Sequence, residues 1–109
     1  MPSLSPNELV VLRELRERLA RDFGLVELRL FGSKARGDSE LESDIDVLVV
    51  LDHVPDWREK RRVYRHCFDV GLERDVVVQP VIFSRTDFDS VRYSVTPLVR
   101  NIRAEGIVL

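Results

Sequence analysis

The chain has 109 residues, 44% hydrophobic and 33% charged, with a formal net charge of -2 and a pI near 5.7. That length allows one domain, residues 1–109, and the composition is that of a folded soluble protein, not a disordered or fibrous one. The acidic balance argues against a protein that grips nucleic acid by bulk charge, and a single cysteine, Cys67, excludes an internal disulfide or a cysteine zinc set. The apolar run Val47 to Leu51 is far below the ~20 residues of a membrane helix, and Met1-Pro2-Ser3-Leu4 lacks a signal pattern, so the expectation is a cytoplasmic protein.

Ser5-Pro6-Asn7-Glu8 reads as a helix start: Ser5 caps, Pro6 suits the first turn, and Glu8 three residues after the cap completes a capping box. Leu9, Leu12, Leu15, Leu19 and Phe23 recur at spacings of three and four, which predicts one apolar helix face, and Gly24 ends the helix. Val26 to Phe31 alternates apolar and polar and predicts a half-buried strand, followed at once by Gly32-Ser33 and a polar segment through Ser43. Ile45 to Leu51, rich in β-branched residues, predicts a central strand.

Pro55 to Gly71 predicts a helix with Trp57, Tyr64, Cys67 and Phe68 toward the core. Asp75 to Phe83 predicts a further strand, and Pro80 within it implies a strand end, an exposed edge or a bulge, because proline cannot donate to the ladder. A short helical piece is expected around Asp87 to Tyr93, then a last helix that Thr96-Pro97 opens and Glu105-Gly106 closes, with Ile107 to Leu109 returning as a short strand. The order predicts one α/β (α+β) layered fold, a small mixed sheet packed against helices.

Three features carry chemistry when read together. Gly32 at a strand-to-helix turn lets backbone approach a ligand closely, the following amides favour phosphate, and Ser33 adds a hydroxyl donor. Asp44 and Asp46 lie two apart in a strand and so share a face, close enough to bind a hard divalent cation through oxygen. Asp75 opens the next predicted strand. A right-handed crossover through the intervening helix would set that strand parallel to the one carrying the pair, with Asp75 at the same edge. If the strands before and after the Gly32 to Ser43 connection are antiparallel neighbours, phosphate cradle and carboxylates meet at one end of the sheet.

The stretch Gly32-Ser33-Lys34-Ala35-Arg36-Gly37-Asp38, followed by Ser43-Asp44-Ile45-Asp46-Val47-Leu48-Val49, closely resembles the signature of the polymerase β nucleotidyltransferase superfamily. The chain looks like the minimal nucleotidyltransferases within it, and Pro97 to Gly106 is similar to their closing helix. The resemblance implies transfer of a nucleoside monophosphate, AMP from ATP foremost, with Mg²⁺ or Mn²⁺. It implies Gly32 and Ser33 on the triphosphate; Lys34 and Arg36 sit beside that cradle, placed to neutralise a leaving pyrophosphate, and Ser43 is a further nucleotide-binding candidate. Asp44 and Asp46 would coordinate the metals, and Asp75 would be the third metal ligand and base. One departure matters: Gln79 shares a strand face with Asp75, and a shifted register would put a non-acid at the third position, weakening catalysis while leaving nucleotide binding intact.

The chain has no room for a domain that holds an acceptor, so the acceptor surface is expected on another chain. In the resembled family that partner is often a helical HEPN protein, the pair acting as toxin and antitoxin. A homo-oligomer stays open; membrane and nucleic-acid partners are disfavoured. The alternative is a non-catalytic nucleotide-binding or toxin-masking subunit that kept the fold. Asp38, Glu40 and Glu42 read as a solvated loop, His53 and His66 as surface residues, Cys67 as core, and Arg58, Lys60, Arg61, Arg62 and Arg65 as a wet helix face.

Overall fold

The computed structural model describes residues 2–39 and 43–109; Met1, Glu40, Leu41 and Glu42, and with them the loop reading for Glu40 and Glu42, lie outside the described residues. Ser5 opens α1 (Pro6–Phe23) through the expected box: its hydroxyl accepts from the Glu8 amide at 3.1 Å, and the Ser5 amide donates to Glu8 Oε1 at 2.9 Å. Gly24, in the left-handed conformation at φ 66°, closes it. The buried face is Val11, Leu12, Leu15, Leu19 and Phe23. Leu9 is exposed, because Glu8 occupies the inward position of that first turn.

The element order continues β1 (Leu25–Phe31), α2 (Ser33–Arg36), β2 (Ile45–Leu51), α3 (Trp57–Leu72), β3 (Val78–Ser84), α4 (Arg85–Phe88), α5 (Val91–Ser94), α6 (Pro97–Glu105) and β4 (Ile107–Val108). The strands form one sheet in the order β3-β2-β1-β4. β1 pairs antiparallel with β2 and with β4, while β2 and β3 are parallel, as a long helical crossover between them requires. β3 is an edge strand, which is where Pro80 is tolerated.

The core has two layers because β2 is covered on both faces. Val47, Val49 and Leu51 pack with α1 and α3; Leu48 and Val50 pack with Phe88, Val99 and Ile102 from α4 and α6. This explains why β2 is an unbroken apolar run rather than an alternating one.

Three expectations change. The helical piece near Asp87 is two one-turn helices, each capped by a serine, Ser84 and Ser90. The third strand begins at Val78, not Asp75. On α3 the buried side chains are Val63, Cys67 and Val70, whereas Trp57, Tyr64 and Phe68 are exposed. The helix is turned by about one residue, 100° on a helical wheel, from the face its aromatics suggest. No helix among the described residues is long and apolar enough to cross a membrane.

Candidate functional site

Gly32 stands where β1 gives way to α2, with φ 75° and ψ -157°, a conformation that a side chain would strain. A Cβ placed there would also lie 2.5 Å from Asp46 Oδ2. The glycine is therefore required twice, by its dihedral and by the carboxylate against it. That contact joins the turn to the acid pair: Phe31 and Asp46 are Cα partners on the β1–β2 ladder, so the strand that ends at Gly32 lies beside the strand that begins at Ile45. The antiparallel meeting of cradle and carboxylates expected from the sequence is what the fold produces.

Past Gly32, the amides of Ser33 and Lys34 open α2; the first N–H groups of a helix have no acceptor within it and are open to an anion. Gly32 itself is held from the far end of the chain. Its amide donates to Glu105 Oε1 at 3.1 Å, and Arg36 Nη1 donates to both Glu105 oxygens at 3.1 Å while its Nε donates to Asp38 at 3.1 Å. Glu105 thus ties the last turn of α6 to both ends of the Gly32–Arg36 turn. The sequence marked it only as a helix end; the signal was available in the family-like closing helix, but not its target.

Asp44 is exposed just before β2, and Asp46 is half-buried one step inside it. Burial pushes the Asp46 carboxyl above its ordinary value, the negative charges of Asp44 and Glu105 push it further, and Arg36 opposes them. A group in that position gains from a cation. Across the parallel ladder Asp46 faces Gln79, whose Nε2 donates to Asp44 Oδ2 at 3.1 Å. Gln79 completes the group from the neighbouring strand and was foreseen only as the consequence of a shifted register.

The remaining candidates separate from this group. Asp75 precedes β3 in the turn after α3, exposed, with φ 57°. Among the described residues no three His, Cys, Asp or Glu side chains gather in a way that could hold a metal ion, so Asp75 does not join Asp44 and Asp46. Aspartate is one of the few residues that enter the left-handed region readily, which accounts for it in a turn. Lys34 points inward: it is 2% exposed and its Nζ pairs with Glu8 Oε2 at 2.9 Å, fastening α2 to the start of α1. Arg36 stays exposed beside the turn, though engaged by Glu105 and Asp38. Ser43 lines a polar cleft with Glu8, Arg74 and Asp75.

Cys67 is buried, and burial pushes its thiol up to about 12, which removes it as a nucleophile. His53 is exposed between Asp52 and Glu59; His66 is half-buried edge-on to Phe23.

Two carboxylates on one strand face fit a Mg²⁺-type ion, which ordinarily takes one or two carboxylates and completes its shell with water and phosphate oxygens. Because Gly32 has no side chain, Asp46 packs directly against the turn whose amides open α2.

Comparison with known proteins agrees with this arrangement. A family model described as nucleotidyltransferase domain matches residues 12–109. The Methanocaldococcus jannaschii protein named "Putative protein adenylyltransferase MJ0141" is 39% identical over 57 residues, which are 52% of this chain and 58% of that protein's length. A structure described as that of a "putative minimal nucleotidyltransferase" superposes with a TM-score of 0.62 at 25% identity, covering 98% of this chain and 99% of the other. A chain from the solved complex of tri-AMPylated Shewanella oneidensis HEPN toxin with MNT antitoxin shares the fold, with a TM-score of 0.55 at 20% identity over 94% of this chain and 67% of that one. With a family model spanning almost its whole length and a sheet whose central strands carry the signature residues together, the chain belongs to the nucleotidyltransferase domain family.

Proposed function

We propose that the protein transfers a nucleoside monophosphate, AMP from ATP, to an acceptor hydroxyl on a partner protein. The observation that carries this reading is the close packing of the Gly32 turn against Asp46, which the missing side chain permits and which sets the helix-opening amides beside the carboxylate. In it, the Ser33 and Lys34 amides and the Ser33 hydroxyl hold the distal phosphates, and Arg36 stands where it neutralises charge on the leaving pyrophosphate. Asp44 and Asp46 hold Mg²⁺ or Mn²⁺, which when bound polarises the reacting phosphate and stabilises the departing charge. Gln79 and Glu105 keep the two carboxylates and the turn in register. Catalysis of this kind is positioning and charge neutralisation, with little covalent work for the protein.

The partner reading is supported by family membership, by a relative named as a protein adenylyltransferase, and by a fold neighbour solved with an AMPylated HEPN toxin. On that basis the chain acts in the cytoplasm as the antitoxin of a HEPN-type toxin and modifies its partner. The test is transfer of label from α-³²P-ATP to the co-purified partner. Asp44→Asn with Asp46→Asn should cut transfer by about 100-fold or more, the order of other losses of charge stabilisation at a reacting centre. The melting temperature should hold or rise, because mutual repulsion is relieved; unchanged transfer would overturn the reading.

A second reading is favoured by Gln79 occupying the position across from Asp46, with no third acid among the described residues joining the pair in a metal-holding group. On that reading the chain binds nucleotide and masks its partner without turnover. Calorimetric binding of ATP with Mg²⁺, together with absence of label transfer to the partner, would select it.

A further inference from the structure

The outward face of α3 is left unpartnered by the fold. Trp57, Tyr64, Phe68 and Leu72 follow one another at seven, four and four residues and are 61, 49, 62 and 66% exposed. Isolated exposed apolar side chains are ordinary, but a continuous stripe of large ones marks a contact surface.

Arginines are set into the stripe. The guanidinium carbons of Arg58 and Arg61 lie 5.3 and 5.7 Å from the Trp57 ring centre, and that of Arg62 lies 4.9 Å from the Phe23 ring. Among the described residues Arg58, Arg61 and Arg62 form no ion pair with a carboxylate, and Arg65 has only Asp69 of its own helix, at 3.4 Å. Arg58, Arg61 and Arg62 are thus ordered against rings with no carboxylate paired to them among the described residues.

From Tyr64 and Phe68 a groove of about 300 Å³ continues past Leu72 and Val77 to Gln79 and Pro80 at the sheet edge. Gln79 is the residue that donates to Asp44, so the surface ends one side chain from the acid pair.

Three kinds of occupant can be weighed. An added β-strand would need a continuous row of edge amides, and Pro80 interrupts it. Single-stranded nucleic acid also uses arginines and aromatics, but it needs cations along its whole track; here the arginines stop at the helix stripe, and the groove beyond is mainly apolar, with Asp75 its one charged lining residue. A helix with its own apolar stripe, flanked by acids, matches both the helical spacing and the charge.

We propose that the outer face of α3, continued by the β3 edge, docks an acidic amphipathic helix of the acceptor protein. This rests on the reading that the acceptor is a protein. Docking brings that protein to the edge of the sheet that carries Asp44 and Asp46.

Trp57 is the only tryptophan, so its emission reports occupancy directly. The probe is a synthetic helix of roughly 18 residues, long enough to hold helical structure, with leucines at i, i+3, i+4 and i+7 between glutamates, beside a twin in which lysines replace the glutamates. The glutamate peptide should shift Trp57 emission to the blue and saturate. Arg61→Glu with Arg65→Glu should weaken it by about tenfold or more while improving the lysine twin, and Phe68→Ser should weaken both. Equal binding of the two peptides by the unaltered protein, no binding of either, tighter binding of oligouridylate, or self-association abolished by Phe68→Ser would each overturn the proposal. The Asp44→Asn, Asp46→Asn protein should bind the glutamate peptide unchanged; transfer lost with binding kept bears on the transferase reading alone.

Discussion

Asp75 sits at φ 57°, a dihedral that lets one substitution distinguish two accounts of the residue. A metal ligand lost to glycine would abolish transfer. A turn residue replaced by glycine would relieve about 1 kcal/mol of left-handed strain. We expect Asp75→Gly to raise the melting temperature by a few degrees and to leave label transfer within about threefold of the parent; a collapse of transfer would return Asp75 to the metal site. The sequence placed Asp75 correctly with respect to helix and crossover but three residues too far into the strand. An acid before a β-branched run looks the same whether it is the strand's first residue or the last of its turn. Gly32 was more legible, because a glycine–serine pair with ten residues before Asp44 has few other uses. What the sequence does not display is the 2.5 Å approach to Asp46 that makes any side chain there intolerable.

Helix ends, not helix centres, hold the site in place, and two contacts far apart in sequence show it. Glu105, at the end of α6, receives the Gly32 amide and Arg36. Glu105→Ala should loosen the turn before it harms the fold, raising the KM for ATP by about tenfold with a smaller fall in kcat, as steady-state transfer with varied ATP would show; an effect on kcat alone would refute this. At the other terminus Glu8 joins the α1 cap to Lys34. Burial pushes the Glu8 carboxyl up, but hydrogen bonds from the Ser5 amide and from Lys34 outweigh it, and the net displacement is below the ordinary value of 4.5. A carboxyl depressed on folding stabilises the folded state fully above its unfolded pKa and loses that contribution as pH falls through the folded one. Glu8→Gln should therefore cost about 2 kcal/mol at neutral pH, the order of a charged hydrogen bond, and flatten the loss of stability below pH 4.5 in urea titrations. The capping box was readable in Ser5 and Glu8; the second use of Glu8 was not, since nothing local to Lys34 reveals that α2 folds back onto α1.

At the scale of the whole molecule, the two-layered core decides what was readable. β2 is covered on both faces, and its unbroken apolar run announced that burial. α3 was misread because its largest apolar side chains do not face the core: Val63, Cys67 and Val70 do, and hydrophobicity alone cannot distinguish a face kept for the core from one kept for another surface. Cys67, enclosed in that layer, should resist iodoacetamide at pH 8 and react only at the rate of global unfolding, which mass spectrometry across a denaturant series can follow; rapid alkylation of the native protein would show that α3 opens locally. The pairing of Phe31 with Asp46 has a last consequence. It is the final rung of the ladder between the two central strands, and the chain that leaves it carries Ser33. On the proposed function, a nucleotide fastened between Ser33 and Asp46 would close the open end of that ladder. At a hundredfold excess over its dissociation constant, such a ligand adds about 2.7 kcal/mol to the folded state. The lifetime of the protein in a cell would then follow the supply of its substrate, and starvation would thin its numbers as well as idle it.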